Sequence, residues 1–203
     1  MDSLWLIAGL GNPGREYART RHNAGFLLVE KLAERWGGSW TEAPRQMARI
    51  ARAKNGVHTV LLAQPQTYMN ASGESLRALV DFYKVSTARM MIAVDDADLE
   101  LGNIRLRSDG SSGGHHGLES VERHLATRAY ARQRLGIGRR GDGVRQIAGF
   151  VLHPFPSDDW KVFESVLEQA GRQLECWMAD GIQPAMSRFN GVAPSARENR
   201  KTT

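Results

Sequence analysis

The sequence predicts an α/β fold: a single domain in which helices cover both faces of a mixed, largely parallel sheet. The chain has 203 residues, enough for one sizeable core and few for two. Short apolar runs typical of strands alternate with segments of helical periodicity, and no repeat or linker separates them. We therefore expect one domain over residues 1–190 and a polar, disordered tail at 191–203.

Each predicted strand is a short apolar run that ends at turn-forming residues. The first ends at a glycine-rich turn beginning with Gly9, and Asn55-Gly56 joins the next two as a two-residue hairpin. An acidic loop ends the fourth strand, and a Gly/Ser loop ends the fifth. In chain order, the predicted strands cover residues 4–8, 47–53, 57–63, 90–94, 104–107 and 134–137.

The predicted helices carry apolar residues at three- and four-residue spacing. In chain order, they cover residues 24–35, a segment around 76–83, 118–125 and 158–178. The last helix contains Cys176, the single cysteine, which we interpret as a structural thiol. One cysteine forms no internal disulfide and no Cys-x-x-Cys pair for zinc.

Ligands of such sheets bind where loops leave the carboxyl ends of the strands. This rule selects four loops, at residues 11–23, 64–70, 95–101 and 108–117. No apolar run approaches the roughly 20 residues of a membrane span, and the apolar run at 4–10 is too short for a signal peptide. We therefore expect a soluble, cytoplasmic protein that does not act on membranes.

The positive charge is concentrated in one segment. The formal net charge is +5, and residues 104–145 hold nine arginines against four acidic residues. The planar guanidinium suits phosphate oxygens, which favours a polyanionic partner; the alternative is that surface arginines serve solubility. The nine are Arg105, Arg107, Arg123, Arg128, Arg132, Arg134, Arg139, Arg140 and Arg145.

Three motifs suggest other functions. Residues 9–14 match the GxGxxG dinucleotide fingerprint, but a polar loop intervenes before the helix and the next acid lies inside that helix. Residues 96–100 resemble the start of a calcium loop, yet Arg107 stands where the bidentate glutamate is needed. His115-His116 has no evident third metal ligand. We therefore predict neither a metal nor a cofactor.

One histidine and one acid remain on the selected loops. His22 stands just before the first helix, and Asp95 follows the fourth strand. Such an acid can orient one imidazole tautomer and stabilise the imidazolium formed when the other nitrogen takes a proton from water. Asn12 and Asn70 can donate to a carbonyl or its oxyanion, and no serine or cysteine is placed as a nucleophile. The alternative is that these residues cap helices and satisfy turns.

Six short segments occur in a recognisable order. They are Gly9-Leu10-Gly11-Asn12-Pro13-Gly14-Arg15-Glu16-Tyr17, Thr20-Arg21-His22-Asn23-Ala24-Gly25, Tyr68-Met69-Asn70-Ala71-Ser72-Gly73, Asp95-Asp96-Ala97-Asp98-Leu99, Gly113-Gly114-His115-His116-Gly117-Leu118 and Arg134-Leu135-Gly136-Ile137-Gly138. In order and approximate spacing they resemble bacterial-type peptidyl-tRNA hydrolases. The resemblance covers residues 4–190.

That resemblance implies hydrolysis of the ester joining a peptide to the terminal ribose of tRNA, which recycles tRNA from aborted translation. It implies a monomeric enzyme that uses no metal or cofactor. His22 matches the catalytic base and Asp95 the acid that holds it. Asn12 matches the residue that distinguishes peptidyl-tRNA from free aminoacyl-tRNA, and Asn70 the amide that binds the peptidyl end.

The resemblance also implies two sets of substrate contacts. Tyr17, Tyr68, Met69, Gly113, His115 and His116 match positions that line the substrate site. Arg107 and Arg134 match positions associated with tRNA phosphate, and Arg105 assists them. The other six arginines are expected on solvated surface.

His116 departs from the family pattern, which commonly has asparagine there. A neutral imidazole still offers one donor and one acceptor, although not both from one planar amide. We hypothesise that His116 keeps the substrate-orienting role and that its protonation adds a second titration to the rate.

Two alternatives to the esterase remain. A catalytically silent RNA-binding relative is one, because the fold also serves in plant organelle splicing factors. The retained His22, Asp95, Asn12 and Asn70 argue against it, as does the absence of a transit peptide. A nucleotide-dependent oxidoreductase is the other, and it depends on the GxGxxG match alone.

Overall fold

A computed structural model of the chain describes residues 4–138 and 149–194. Its strands are β1 (Trp5–Gly9), β2 (Ser39–Ala43), β3 (Ala48–Asn55), β4 (His58–Pro65), β5 (Met90–Asp96), β6 (Asn103–Arg107), β7 (Ala131–Gly136) and β8 (Gly191–Val192). Its longer helices are α1 (Ala24–Arg35), α2 (Ser72–Tyr83), α3 (His116–Leu125), α4 (Ser157–Asp180) and α5 (Ile182–Phe189).

The described strands form one mixed sheet in the order β2-β3-β4-β1-β5-β7-β6-β8. The pairings of β1 with β4, β1 with β5, and β5 with β7 are parallel, and the outer pairings are antiparallel. Central parallel strands are covered on both faces, which is why they read as continuous apolar runs. Every residue of β5 is buried. The predicted mixed α/β sheet is confirmed, with its parallel part at the centre.

The two faces of the sheet carry separate cores. Alternate residues of one strand point to opposite faces, so Ile7 packs among α1, α4 and α5 while Leu6 packs among α2 and α3. Helices therefore cover both faces, as the sequence predicts. In the part of the chain that the structure describes, no helix has the length and apolar composition needed to cross a bilayer.

Two glycines bring α1 against the sheet. A Cβ at Gly9 would lie 2.0 Å from the Gly25 carbonyl oxygen, and one at Gly25 would lie 2.3 Å from the Ala93 carbonyl oxygen. Only glycine permits so close an approach of two backbones. Gly9 is thus needed for packing, which accounts for part of the misleading GxGxxG pattern. The approach also places the turn before α1 beside the end of β5.

Several predicted boundaries change. The edge strand β2 was not predicted, because its sequence is largely polar and exposed. β7 begins three residues earlier than predicted and α3 two residues earlier. β5 extends to Asp96, so Asp95 lies within the strand rather than after it. Cys176 is buried in α4, as predicted.

The predicted disorder of residues 191–203 is wrong at its start. Gly191–Val192 form β8, which pairs with β6. The next residue, Ala193, is buried, and its N–H donates to the Gly102 carbonyl at 2.6 Å. Backbone hydrogen bonds hold this segment in place. Its sequence therefore lacks the alternation of apolar and polar residues that would predict a strand. Residues 195–203 lie outside the described chain.

Candidate active site

The selected loops meet in a cleft of about 700 Å³ at the carboxyl edge of the central strands. Ten predicted site residues line it: Asn12, His22, Tyr68, Met69, Asn70, Asp95, Gly113, His115, His116 and Arg134. Three predicted site residues, Tyr17, Arg105 and Arg107, are not among its lining residues. Residues that sequence reasoning did not select also line it: Val94, Asp96, Ala97, Asp98, Gly114, Leu118, Val151 and Leu152.

His22 and Asp95 lie in direct contact at the floor of this cleft. His22 lies in a short turn, Arg21–Asn23, that leads into α1. Its Nδ1 is 3.0 Å from Oδ1 and 3.1 Å from Oδ2 of Asp95. A carboxylate only accepts hydrogen bonds, so Nδ1 carries the hydrogen. In the neutral ring, Nε2 is then an acceptor that can take a proton.

Burial and pairing set the charges of this pair. Burial lowers the pKa of His22, but the Asp95 carboxylate raises it by more, so the pKa lies above the ordinary 6.5. Burial also raises the pKa of Asp95, but His22 and His115 lower it by more, and the carboxyl pKa falls far below its usual range. Asp95 is therefore ionised at neutral pH, although it is only 4% exposed.

His115 contacts the same carboxylate through Oδ1, the oxygen that His22 Nδ1 also approaches at 3.0 Å. Its Nδ1 accepts hydrogen bonds from the N–H groups of Gly117 at 3.1 Å and Leu118 at 3.4 Å, which caps α3. The hydrogen must then be on Nε2, which lies 3.0 Å from Asp95 Oδ1. Two histidines thus donate to one buried carboxylate. His115 therefore both caps α3 and contacts the acid of the catalytic pair.

These three side chains also have the atom types of a metal site, with ligand atoms within 4.8 Å of one another. A metal on His115 Nε2 would displace the hydrogen from that nitrogen while Nδ1 still accepts two backbone N–H groups. The ring would then have to be an imidazolate, or the helix cap would have to break. The hydrogen bonds of His115 therefore fit a ring with a proton on Nε2 and not a zinc ligand.

Asn12 is fixed by its neighbours. Its Oδ1 accepts from the Met69 N–H at 2.8 Å, which orients the amide and leaves Nδ2 as the available donor. Asn23 holds the Asn12 backbone, accepting from its N–H at 2.8 Å and donating to its carbonyl at 3.0 Å. Asn23 directly follows His22 in the chain, but the sequence analysis assigns it no role, because only the fold brings it to Asn12.

Tyr68, Met69 and Asn70 form a second side of the cleft. Met69 begins a short turn, Met69–Ala71, that leads into α2. Met69 is buried, whereas Tyr68 is 63% exposed and Asn70 is exposed. The turn therefore presents an aromatic ring and an amide to a ligand.

His116 is the first residue of α3 and lines the cleft. Its side chain is 77% exposed, and Nδ1 lies 3.1 Å from Glu119 Oε2. The imidazole is thus held by a neighbour on its own helix rather than by the buried pair. Among the described residues its other nitrogen has no hydrogen-bond partner, so this nitrogen is available to a ligand.

The basic segment forms a row of arginines on β6 and β7. Arg105 pairs with Arg134 and Arg107 with Arg132 across the two strands. Ile104 and Leu106 alternate with them and pack in the opposite core, so all four arginines point to the face that α2 and α3 cover. Two like charges that lie directly opposite each other on neighbouring strands repel. An anionic ligand bound between them would reduce this repulsion.

The four arginines have different surroundings. Arg134 lines the cleft with its Nε 2.8 Å from Asp96 Oδ2, whereas Arg105 and Arg107 are exposed beyond the lining. Arg132, expected on the solvated surface, is 2% exposed and donates to the Ser111 carbonyl, so that expectation is wrong. Arg132 lies under α3 and the segment that follows it: its Nη1 is 3.6 Å from Glu122 Oε1, and its Nη2 donates to the Arg128 carbonyl at 3.1 Å. Arg139, Arg140 and Arg145 lie outside the described chain.

Sequence reasoning missed two features of the cleft, and one residue that it selected does not line the cleft. Asp96 directly follows Asp95, and the strand-end rule had selected its loop without separating the two roles. Val151 and Leu152 line the cleft, but they lie in none of the four selected loops. Tyr17 was selected on resemblance, yet it lies half-exposed in the preceding turn, where its carbonyl accepts from Thr20.

Comparison with known proteins places this geometry in a family. The sequence model of the family described as peptidyl-tRNA hydrolase matches residues 6–200. A peptidyl-tRNA hydrolase of a Synechococcus species is 43% identical over 93% of this chain and 84% of its own length. That of Thermus thermophilus is 42% identical over 93% of this chain and 97% of its own.

Solved structures give the same result. The crystal structure of peptidyl-tRNA hydrolase from Acinetobacter baumannii superposes with a TM-score of 0.89 at 36% identity. The superposition covers 96% of this chain and 98% of the other. Sequence and fold therefore agree over nearly the whole length, and the chain belongs to the peptidyl-tRNA hydrolase family.

Proposed function

We propose that this protein hydrolyses the ester bond between peptide and tRNA in peptidyl-tRNA, with water activated by His22. The observation that carries the proposal is the contact between His22 Nδ1 and the buried Asp95 carboxylate. It leaves His22 Nε2 as a base that faces a cleft lined by amide and aromatic groups. Family membership supports peptidyl-tRNA as the substrate.

The reaction proceeds by attack of water on the ester carbonyl. His22 Nε2 takes one proton from water, and the oxygen of that water bonds to the carbonyl carbon. Asp95 stabilises the imidazolium that results. When the tetrahedral intermediate collapses, the ester C–O bond to the ribose breaks, and His22 returns the proton to the ribose oxygen. The products are a peptide with a free carboxylate and tRNA with a free hydroxyl.

Amide donors stabilise the charge that forms on the carbonyl oxygen. Asn12 Nδ2 is oriented by the Met69 N–H and contacts the peptide, which an unblocked aminoacyl end cannot offer. Asn70 lies on the exposed turn before α2 and binds the peptidyl end. A preoriented donor of this kind contributes roughly 3 kcal/mol to transition-state stabilisation.

The remaining predicted site residues bind or position the substrate, some of them from outside the cleft. Tyr68 stacks on the terminal part of tRNA, and Met69 and Gly113 shape the adjoining surface. Arg134, Arg107 and Arg105 bind tRNA phosphate, with Arg134 nearest the chemistry. Tyr17 contacts tRNA outside the cleft. His115 acts through Asp95, so it is a positioning residue rather than a group that touches substrate.

We propose that His116 keeps the substrate-orienting role of the asparagine usual in the family. Its exposed ring at the start of α3 can donate or accept at the cleft. Replacement by alanine should raise KM several-fold, and replacement by asparagine should preserve activity. Unchanged activity and pH dependence in His116→Ala would show that the ring has no such role.

Hydrolysis of N-acetyl-aminoacyl-tRNA, with a metal chelator present, tests the function. The wild type should cleave it and should spare the unblocked aminoacyl-tRNA, and His22→Ala should be slower by about 10²- to 10⁴-fold. An inactive wild type that still binds tRNA would support the silent RNA-binding alternative. A fast His22→Ala variant would overturn the mechanism.

We further expect a cytoplasmic monomer that acts without a metal or cofactor. The phosphate-binding arginines account for its net positive charge without a membrane partner. Sedimentation at micromolar concentration tests the oligomeric state, and a dimer would contradict this expectation.

A further inference from the structure

Arg21, the residue before the base, is an almost fully buried cation. Its side chain is 6% exposed, and it opens the turn Arg21–Asn23 that holds His22. A guanidinium is tolerated at such a depth only where several acceptors surround it. The partners of Arg21 therefore show which parts of the chain this cation joins.

Three polar partners of Arg21 lie close together in the sequence, more than 130 residues away. Nη1 donates to the carbonyl oxygens of His153 at 3.2 Å and Pro154 at 3.0 Å. Nη2 lies 3.4 Å from Asp159 Oδ2 at the start of α4. The backbone joins the same stretch, because the Arg21 N–H also donates to the His153 carbonyl and Thr20 bridges to Pro154.

Two aromatic rings of the same stretch also contact the guanidinium. Its centre lies 4.2 Å from the ring centroid of Phe150 and 5.2 Å from that of Phe155. The planar cation thus stacks on rings while its edge donates to carbonyls, a combination that lysine does not reproduce. We call residues 149–156, which carry both rings and both carbonyls, the wall segment.

The wall segment contributes apolar surface to the cleft. Val151 and Leu152 are among the lining residues, and Leu152 is 44% exposed. Most other lining residues are polar, charged or glycine. Arg21 therefore connects the turn that holds the base to the part of the cleft suited to an apolar group of the substrate.

We propose that Arg21 is a positioning residue for substrate binding: it holds the wall segment so that Val151 and Leu152 pack against the acylated aminoacyl end of the substrate. The proposal rests on the proposed hydrolase function. Without Arg21, the wall segment loses its main polar and aromatic anchor, while the contact between His22 and Asp95 has its own hydrogen bonds and remains. The loss should therefore appear in binding more than in chemistry.

The test compares Arg21→Met with Arg35→Met on N-acetyl-aminoacyl-tRNA. Arg35 is the control because its ion pairs with Glu168 and Glu175 join it to α4, as the ion pair with Asp159 joins Arg21 to α4, but these partners lie outside the wall segment. Arg21→Met should raise KM about tenfold and change kcat less than threefold. Hydrogen exchange at residues 149–156 should become faster in Arg21→Met and stay unchanged in Arg35→Met.

Other outcomes separate the possibilities. A merely structural role would lower the active fraction, and so kcat, at unchanged KM, and would overturn the proposal. Equal KM in Arg21→Met and wild type, with unchanged exchange, would also overturn it. If Arg21→Met does not fold, Arg21→Lys and Phe150→Leu replace it, with an expected KM increase of three- to fivefold. An inactive wild type would instead contradict the proposed function itself.

Discussion

At the scale of single residues, the catalytic groups are held by hydrogen bonds that fix which nitrogen bears a hydrogen. Asp95 accepts from His22 Nδ1 and from His115 Nε2, and His115 Nδ1 in turn accepts from two backbone N–H groups of α3. The sequence predicted His22 and Asp95 from their places near strand and helix ends. It could not predict their contact, because 73 positions separate them, nor the role of His115, which depends on the helix cap.

Replacing His115 by asparagine tests this role at the residue scale. Asparagine still caps α3, but its short side chain cannot reach Asp95, so one donor to the carboxylate is lost. We expect kcat to fall about tenfold or more through misplacement of Asp95 and His22, with KM and the thermal midpoint little changed. If His115→Asn were as active as the wild type, the contact with Asp95 would be dispensable. A much lower midpoint would indicate a cap defect instead.

At the scale of elements, the sheet sorts the arginines that the sequence shows only as a cluster. Alternation along β6 and β7 places Arg105, Arg107, Arg132 and Arg134 on one face, where one is buried and one reaches the cleft. Composition alone could not predict which of these arginines is buried and which reaches the cleft. The edge strands β2 and β8 were likewise not predicted, since backbone pairing rather than apolar side chains holds them.

The arginine row predicts a salt effect. A cation that neutralises one phosphate contributes about one unit to the slope of log affinity against log salt, so Arg107→Ala should flatten the slope for tRNA by about one. Arg134→Ala should do the same and also raise KM, because Arg134 lines the cleft. The control is Arg77→Ala, an exposed arginine on α2 paired with Asp81. Equal slopes in all variants would assign the row to solubility.

At the scale of the whole molecule, the fold brings distant loops to the edge of four central parallel strands. The alternation of apolar runs predicted the sheet, its helical layers and the edge at which ligands bind. The strand order was beyond sequence reasoning, because it follows from how the connections cross the sheet. Sequence reasoning also missed that residues 151 and 152 line the cleft. Both are apolar, and they lie well after the end of β7 in the chain.

The pH dependence of kcat/KM in the wild type and in Asp95→Asn tests the central claim most directly. The base must be neutral to act, and Asp95 raises the pKa of His22 above 6.5, so wild-type kcat/KM should rise with pH through a midpoint above 6.5. In Asp95→Asn the carboxylate that raises the pKa of His22 is gone, while the burial that lowers this pKa remains. The midpoint of the pH profile should therefore fall, and the rate should drop by roughly 10²- to 10⁴-fold. Asp96→Asn, which removes a neighbouring carboxylate that does not contact His22, should keep the wild-type midpoint. An Asp95→Asn enzyme with the wild-type rate and midpoint would contradict the account.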